Sequence, residues 1–130
     1  MIKRKSLPVE RPAYTRRFEL AYQHKNGDMD TMKFYFTVGM YDDGTPAEVF
    51  VKVDKTGTLA AGALDSCAIM MSIALQHGIP LRALTSKLRG TRFGPGGFTK
   101  DPDIPSCTSP FDLLAQWLEK KFPEPIEKQS

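Results

Sequence analysis

Hydrophobic and polar residues alternate along three stretches of the N-terminal half, and each stretch predicts a β-strand. Phe18, Leu20 and Tyr22 are the apolar positions of the first, and residues 47–53 form the third, with a valine at every second position from 49. The middle stretch is the clearest, with Met32, Phe34, Phe36, Val38 and Met40 alternating with Lys33, Tyr35, Thr37, Gly39 and Tyr41. The intervening segments 25–28 and 42–44 hold Asn-Gly and Asp-Gly, which favour hairpin turns. The pattern predicts an antiparallel meander of three or more strands with one covered face.

The strand pattern stops at residue 58, and an apolar segment rich in alanine, leucine, isoleucine and methionine runs to residue 77. Gly78 and Pro80 follow it as typical helix-ending residues. Asp65 is the only formal charge in this predicted helix of about five turns, and a helix that is apolar nearly all round is buried on more than one side. We therefore expect Met70, Met71, Ile73 and Ala74 to lose nearly all their exposure, against the other helices or against a second copy of the chain.

The remaining segments predict two shorter helices separated by a long loop. Pro80 opens a short helix that reaches Arg89 and ends at Gly90, and residues 90–108 form an irregular stretch rich in glycine and proline. Ser109, Pro110 and Asp112 are suited to the N-cap, N1 and N3 positions of a C-terminal helix. The predicted organisation is an extended basic arm over 1–13, one α+β domain over 14–122 and a frayed tail over 123–130.

Composition narrows the class of protein. The chain has 130 residues, 41% of them hydrophobic and 25% charged, with a net charge of +3, which is ordinary for one globular domain and argues against nucleic acid as the partner. The two cysteines, 40 positions apart, and the two histidines suggest neither a disulfide framework nor a metal site. The N-terminus lacks the apolar run of a signal peptide, and segment 59–75 is too diluted by alanine and polar residues for a membrane span. We expect a cytoplasmic protein with no cofactor.

Candidate catalytic groups are few and poorly matched. Cys67 lies in the apolar helix, where a thiol is usually an inert small hydrophobe, and Cys107 has no histidine placed to activate it. His77 suits a helix C-terminus. Asp101 and Asp103 could hold a cation or take a proton, but acids are also common in turns. The sequence therefore predicts a protein without catalytic activity, and a small hydrolase using Asp101, Asp103 or Cys107 is a distant third hypothesis.

The glycine-rich loop is the best candidate for a ligand site. Glycines expose backbone N–H groups, arginines bind phosphate through paired hydrogen bonds, and aromatic rings stack on bases. The loop and its flanks combine all three in Arg89, Arg92, Phe93, Gly94, Gly96, Gly97, Phe98 and Lys100. The spacing matches neither phosphate-loop motif, so the alternative is an ordered loop that covers the core. If the loop binds an anion, Arg89, Arg92 and Lys100 should converge on the backbone of residues 94–97.

Several segments, in this order, resemble the TSCPD domain near the C-terminus of cobalamin-dependent (class II) ribonucleotide reductases. They are residues 41–52 (YDDGTPAEVFVK), 72–81 (SIALQHGIPL), 91–99 (TRFGPGGFT) and 109–118, with Leu7-Pro8 and Glu10-Arg11-Pro12 at the start. The resemblance covers about residues 5–122. It implies an accessory domain related to nucleotide metabolism, without the catalytic barrel, the cobalamin site or the redox-active cysteine pair of the reductase. Gly94 replaces an acidic residue that the family often carries before Pro95, which makes the loop more open.

These observations lead to two hypotheses from different classes. The first is a non-enzymatic module that binds a nucleotide or a nucleotide-derived, phosphate-bearing ligand at the glycine-rich loop. The second is a protein-interaction subunit that docks on a ribonucleotide reductase or another enzyme through its sheet face, where Tyr35, Tyr41 and Phe50 should lie opposite Phe34, Phe36 and Val51. A homo-oligomer is also expected, through helix 58–77 or through the outer face of the sheet.

Overall fold

The computed structural model describes residues 3–54 and 59–124. The elements, in chain order, are β1 (Ala13–Gln23), β2 (Met29–Met40), β3 (Pro46–Val53), α1 (Leu59–Gln76), α2 (Leu81–Leu88), β4 (Gly97–Phe98), β5 (Ser106–Cys107) and α3 (Pro110–Lys121). The predicted α+β class and the order of meander, long helix, short helix, loop and C-terminal helix are confirmed. The predicted first residue of the long helix, residue 58, and the predicted tail beyond Glu124 lie outside the described residues.

In the part of the chain that the structure describes, the sheet has five antiparallel strands in the order β3-β2-β1-β4-β5. β1 and β2 pair from Ala13 opposite Gly39 to Gln23 opposite Met29, and the Asn-Gly turn between them uses Gly27 at a φ of +94°. The loop predicted as irregular supplies the two-residue strands β4 and β5, which extend the meander on the far side of β1. Pairs as short as these leave no alternation in the sequence, because a two-residue strand completes only one period.

The core lies on one face of the sheet. Phe18, Phe34 and Phe36 of the strands pack with Leu64 of α1 and Trp117 of α3 in one buried cluster. The α3 helix begins as predicted, with the Ser109 hydroxyl accepting from the Asp112 amide and Pro110 as the first helical residue. No helix of the described residues packs on the opposite face of the sheet, where Arg17, Tyr35, Phe50 and Lys52 are exposed.

The predicted aromatic face is confirmed in part. Tyr35 pairs with Lys52 and Phe50 with Thr37, so both aromatic residues lie on the outer face, and both are exposed. The prediction for Tyr41 is wrong, since this residue is 5% exposed and its hydroxyl donates to the Lys5 carbonyl at 3.1 Å. The register shifts between Gly39 and Met40, just before Tyr41. Alternation of faces fails beyond such an irregularity.

Among the described residues, the long helix α1 is covered on one side only. It packs against β3, while α2 packs against α3, so neither of the other helices covers its far side. Met71 is buried and Ala74 is half-buried, whereas Met70 is 67% exposed and Ile73 is 39% exposed. Within one chain the prediction that these two residues lose nearly all their exposure is therefore wrong, because composition does not reveal which sides of an apolar helix are packed. Burial by a second copy stays a prediction.

Two polar side chains of α1 close the outer edge of β3. The Ser72 hydroxyl accepts from the Val49 amide at 2.8 Å and stands 3.1 Å from the Val49 carbonyl oxygen. One turn further along, the Gln76 amide donates to the Ala47 carbonyl at 3.2 Å. Ser72 and Gln76 lie one turn apart on α1, and their partners Val49 and Ala47 lie two residues apart on β3. At these two positions α1 bonds to backbone groups that a further strand could otherwise pair with.

The basic arm is fixed to the domain over its described residues 3–12. The Lys5 amide donates to the Gln76 carbonyl at 2.7 Å, and the Arg4 guanidinium donates to the Gln76 side chain at 2.6 Å. Arg11 forms an ion pair with the buried carboxylate of Glu48 and also donates to the Pro8 carbonyl. These bonds hold the described part of the arm along the end of α1 and the start of β3, and the extended conformation of the whole arm stays a prediction.

Candidate functional site

Arg89 lies at the C-terminal end of α2, where two carboxylates of α3 hold its guanidinium. Its Nη1 donates to Glu119 at 2.6 Å, and its Nε lies 3.4 Å from Asp112. Burial alone raises the pKa of the Asp112 carboxyl, but the Gly90 and Thr108 amides, Gln116 and the Arg89 charge outweigh it and hold this pKa below its usual value. Arg89 therefore already has two anionic partners inside the protein, and these carboxylates compete with any phosphate for the N–H groups of the guanidinium.

The same carboxylate anchors both ends of the glycine-rich loop. Asp112 accepts from the Gly90 amide at 2.8 Å and from the Thr108 amide at 3.0 Å. The hydroxyls of Thr91 and Ser109 lie 2.7 Å apart, and the Thr108 hydroxyl donates to the Thr91 carbonyl at 2.7 Å. This network ties the loop to the start of α3, so the loop is an ordered part of the fold.

Two of the predicted ligand-binding glycines are required by close packing. A Cβ atom on Gly97 would lie 2.0 Å from the Ala21 carbonyl oxygen, and a Cβ on Gly96 would lie 2.9 Å from the Thr108 carbonyl oxygen. Gly94 has a φ of +44°, with open space around its Cβ position. Gly96 and Gly97 let the loop pass between β1 and β5, which is a structural reason for glycine at both positions.

The remaining predicted site residues Phe93, Phe98 and Arg92 have different surroundings in the fold. Phe93 packs on Phe111 with ring centroids 4.6 Å apart, and its exposed part faces solvent. Phe98 lies opposite Ala21 on the outer face of the sheet. Arg92 is exposed, and no hydrogen bond or ion pair joins it to the described residues.

Arg89 and Lys100 line different cavities. Arg89 borders a polar cavity of about 530 Å³ beside Asp112 and Cys107, while Lys100 borders a cavity of about 170 Å³ beside Arg16 and Arg17. Arg92 lines neither of these cavities. Neither cavity gathers the three cations around Gly94–Gly97 as the anion-binding hypothesis required, and ligand binding at the loop stays a prediction.

The candidate catalytic groups occupy structural positions. Burial raises the pKa of the Cys107 thiol to about 11, so the thiol stays protonated and weakly nucleophilic near neutral pH. Asp101 pairs with Arg16 through one carboxylate oxygen and accepts from the Asp103 amide through the other, as a turn residue does. The His77 ring lies 2.8 Å from the Ile73 carbonyl at the end of α1. The absence of catalytic activity stays a prediction.

The sequence did not reveal that one side of α1 would be open. We call the exposed residues Leu59, Ile69, Met70 and Ile73 the α1 apolar surface. Beyond the end of the helix, a mostly apolar cavity of about 380 Å³ lies between Tyr41, Leu75, Ile79 and Phe122. Within the described residues, α1 is also the one helix that is long and apolar enough to cross a membrane, which is weak evidence by itself. Large exposed apolar patches mark interaction sites more often than isolated exposed side chains do.

The chain is similar to segments of several curated vitamin B12-dependent ribonucleotide reductases. The chain is 37% identical over 120 residues to the reductase of Rhodopirellula baltica, covering 92% of this chain and 11% of that protein. It is 35% identical over 127 residues to the reductase of Streptantibioticus cattleyicolor, covering 98% of this chain and 20% of that protein. The reductase of Bradyrhizobium diazoefficiens is 31% identical over 123 residues. The chain thus spans a tenth to a fifth of the length of these relatives.

No solved structure matches the chain. The comparison with family models agrees with the family that the ordered sequence segments indicated. The model of the TSCPD domain matches residues 10–122, which include every strand of the sheet, the three helices and the glycine-rich loop. The resemblance noted from residues 41–52, 72–81 and 91–99 is thereby confirmed, and the chain belongs to the TSCPD domain family.

Proposed function

We propose that this chain is an accessory domain that docks on the catalytic part of a vitamin B12-dependent ribonucleotide reductase through the α1 apolar surface. The observation that carries the proposal is an exposed apolar side on a helix whose opposite side is fixed to the sheet. The relatives support the choice of partner, because each bears the name of that reductase and is several times longer than the matched segment. The docking hypothesis thus moves from the sheet face to α1.

The composition of the α1 apolar surface fits the centre of an interface. Three large aliphatic side chains, Ile69, Met70 and Ile73, are exposed within about one turn of helix. Interface centres are depleted of charge, and Asp65 is the only formal charge of α1. The outer sheet face is less suitable, because Tyr35 and Phe50 pair across strands with Lys52 and Thr37.

The helix is also held rigidly in place for docking. Ser72 and Gln76 bond α1 to the backbone of β3, and Leu64, Ala68 and Met71 are buried in the core beneath it. A surface that is already ordered loses little conformational entropy when it binds. The cavity between Tyr41, Leu75 and Ile79 offers a place for one anchoring side chain of the partner, as the strongest contacts of interfaces often do.

Docking is tested with a matched pair of substitutions. Met70 and Met29 are exposed to nearly the same extent, 67% and 64%, but Met29 lies at the start of β2, away from α1. We expect Met70→Asp to weaken binding to a reductase truncated before its own matching segment at least tenfold, and Met29→Asp to leave it unchanged. Calorimetric titration measures both affinities. Equal effects of the two substitutions, or no binding by the unaltered chain, would reject this surface.

We infer nucleotide binding at the glycine-rich loop as a second candidate function. Its support is Arg92, which is exposed and bonded to none of the described residues, next to the half-exposed ring of Phe93. An arginine can bind a phosphate while a neighbouring aromatic ring stacks on the base. A nucleoside triphosphate should then raise the melting temperature, and Arg92→Ala should weaken its binding about tenfold while Lys87→Ala does not. Equal loss in both variants would indicate only general attraction to a basic surface.

A further inference from the structure

The edge of β1 on the side of β4 is not paired with any described strand over most of its length. β1 pairs with β2 from Ala13 to Gln23, but on its other side β4 meets it at Ala21 alone. No strand of the described residues lies beside residues 13–19 on that side. Alternate residues of a strand direct their N–H and C=O groups to the same side, so this edge presents backbone groups that another strand could pair with. At β3, by contrast, Ser72 and Gln76 fill the corresponding positions.

The side chain of Arg16 partly occupies this edge. Its Nε donates to the Arg17 carbonyl at 3.3 Å, and its Nη2 donates to Asp101 at 2.5 Å. The Arg16 side chain is 46% exposed, whereas the Asp101 side chain is 8% exposed, so Arg16 reaches from the open edge to a largely buried carboxylate. The Arg16 side chain therefore stands between β1 and the turn that holds Asp101, and a strand added here has to offer Arg16 another carboxylate.

Two cavities flank the open edge, one toward each face of the sheet. The first, of about 170 Å³, includes Arg17 and Glu19, whose partners Tyr35 and Lys33 place them on the outer face. The second, of about 230 Å³, reaches Trp117 of α3 on the helix side. Both share Arg16 and Asp101. Side chains of a strand alternate between faces, so a strand laid along β1 could place its side chains in both cavities.

The charges around this edge indicate the chemistry of its partner. The two cavities are lined by the cations Arg16, Arg17, Lys100, Lys120 and Lys121 and by the carboxylates Glu19, Asp101 and Asp103. We propose that residues 13–19 of β1 accept an extended, acidic segment of a partner protein as an added strand. The backbone of the segment replaces Arg16 at the Arg17 carbonyl, and a carboxylate of the segment replaces Asp101 as the partner of Arg16. Main-chain pairing supplies affinity in this mode of recognition, and side chains supply specificity.

A second copy of the chain fits the same edge poorly. Pairing of two β1 strands about a twofold axis centred on this edge would bring Arg16 and Arg17 of one copy near the same residues of the other. Like charges that face each other across strands destabilise the pairing. The charge pattern thus favours an acidic partner over self-association at β1, and this surface is separate from the α1 apolar surface.

Synthetic peptides test the proposal on the full chain. The probe is a blocked seven-residue peptide of alternating glutamate and valine, and its charge-matched control has proline in place of every valine. A third peptide carries lysine in place of glutamate. We expect only the glutamate–valine peptide to bind and to slow amide exchange within residues 13–19. Equal binding of the proline peptide would overturn strand addition, as would no binding at millimolar concentration or concentration-dependent dimerisation through β1.

Substitutions at the edge distinguish the two roles given to the charges. Arg17→Gln should weaken the peptide about two- to fivefold, as expected for an exposed ion pair. Asp101→Asn retains the oxygen that accepts from the Asp103 amide but removes the charge that holds Arg16, so it should strengthen binding by a similar factor. Lys52→Gln on β3 is the charge control and should change nothing. Melting temperatures of all variants confirm folding, and weaker binding by Asp101→Asn would contradict the displacement of Arg16.

Discussion

At the scale of single residues, several polar and glycine positions that suggested ligand chemistry are engaged by the protein itself. Arg89 bonds Glu119 and Asp112, and Gly97 passes close to the backbone of β1. Asp112 accepts hydrogen bonds from both ends of the glycine-rich loop, which was expected to bind a ligand. A carboxylate with that many donors is a structural centre, because removing it would leave several part-buried donors without this partner.

Glycine substitutions test the packing role of the loop. Gly97→Ala should destabilise the domain by more than about 2 kcal/mol, because its Cβ would lie 2.0 Å from the Ala21 carbonyl oxygen and the strands would have to move apart. Gly62→Ala in α1 is the matched control, since nothing lies within 4 Å of its Cβ position and alanine favours helix by about 0.5–1 kcal/mol. Urea denaturation measures both, and a Gly97→Ala variant as stable as the parent would refute the close contact.

Acid denaturation tests the role of Asp112. The folded state holds the pKa of Asp112 below its usual value, so its stabilising contribution is fully present above the pKa of the unfolded carboxyl, about 3.9. The contribution is lost as the pH falls through the lower pKa of the folded state. We expect Asp112→Asn to lose less stability than the parent between pH 6 and pH 3, measured from urea midpoints. An equal loss in both proteins would show that other carboxyls govern the acid response.

At the scale of elements, the relation between α1 and β3 positions the rest of the molecule. Ser72 and Gln76, one turn apart on α1, bond to the edge of β3. An adjacent side of the same helix places Leu64, Ala68 and Met71 in the core. The two requirements fix the rotation of the helix about its axis. That rotation leaves Ile69, Met70 and Ile73 on the open side, where the docking surface lies.

Serine substitutions in α1 test this arrangement. Ser72→Ala should cost about 1–3 kcal/mol, because the Val49 amide would be left without its partner at the strand edge. Ser66→Ala lies on the exposed side of the same helix and should be neutral or slightly stabilising, since alanine is the better helix former. Chemical denaturation compares the two variants directly. Similar small effects at both positions would mean that the Ser72 contacts contribute little.

At the scale of the whole molecule, the exposed side of α1 links two predictions that concern the same surface. Self-association and docking on a reductase would both cover Met70 and Ile73, so they exclude each other at this surface. We expect sedimentation to show concentration-dependent association of the free chain, lost in Met70→Asp and retained in Met29→Asp. Addition of the truncated reductase should dissociate that assembly. A chain that stays monomeric at all concentrations would leave the reductase as the partner and reject the homo-oligomer.

The sequence alone determined the long strands β1, β2 and β3, the helices and the family. Alternation placed β1, β2 and β3, the residues Ser109 and Pro110 marked the start of α3, and ordered segments identified the TSCPD domain. These features are encoded within a few neighbouring residues, so they can be read locally. Only the tertiary structure decided the partners of Arg89, which come from α3, and the pairing of β4 with β1. It also decided the burial of Tyr41 and the open side of α1, because both depend on how segments distant in sequence pack against one another.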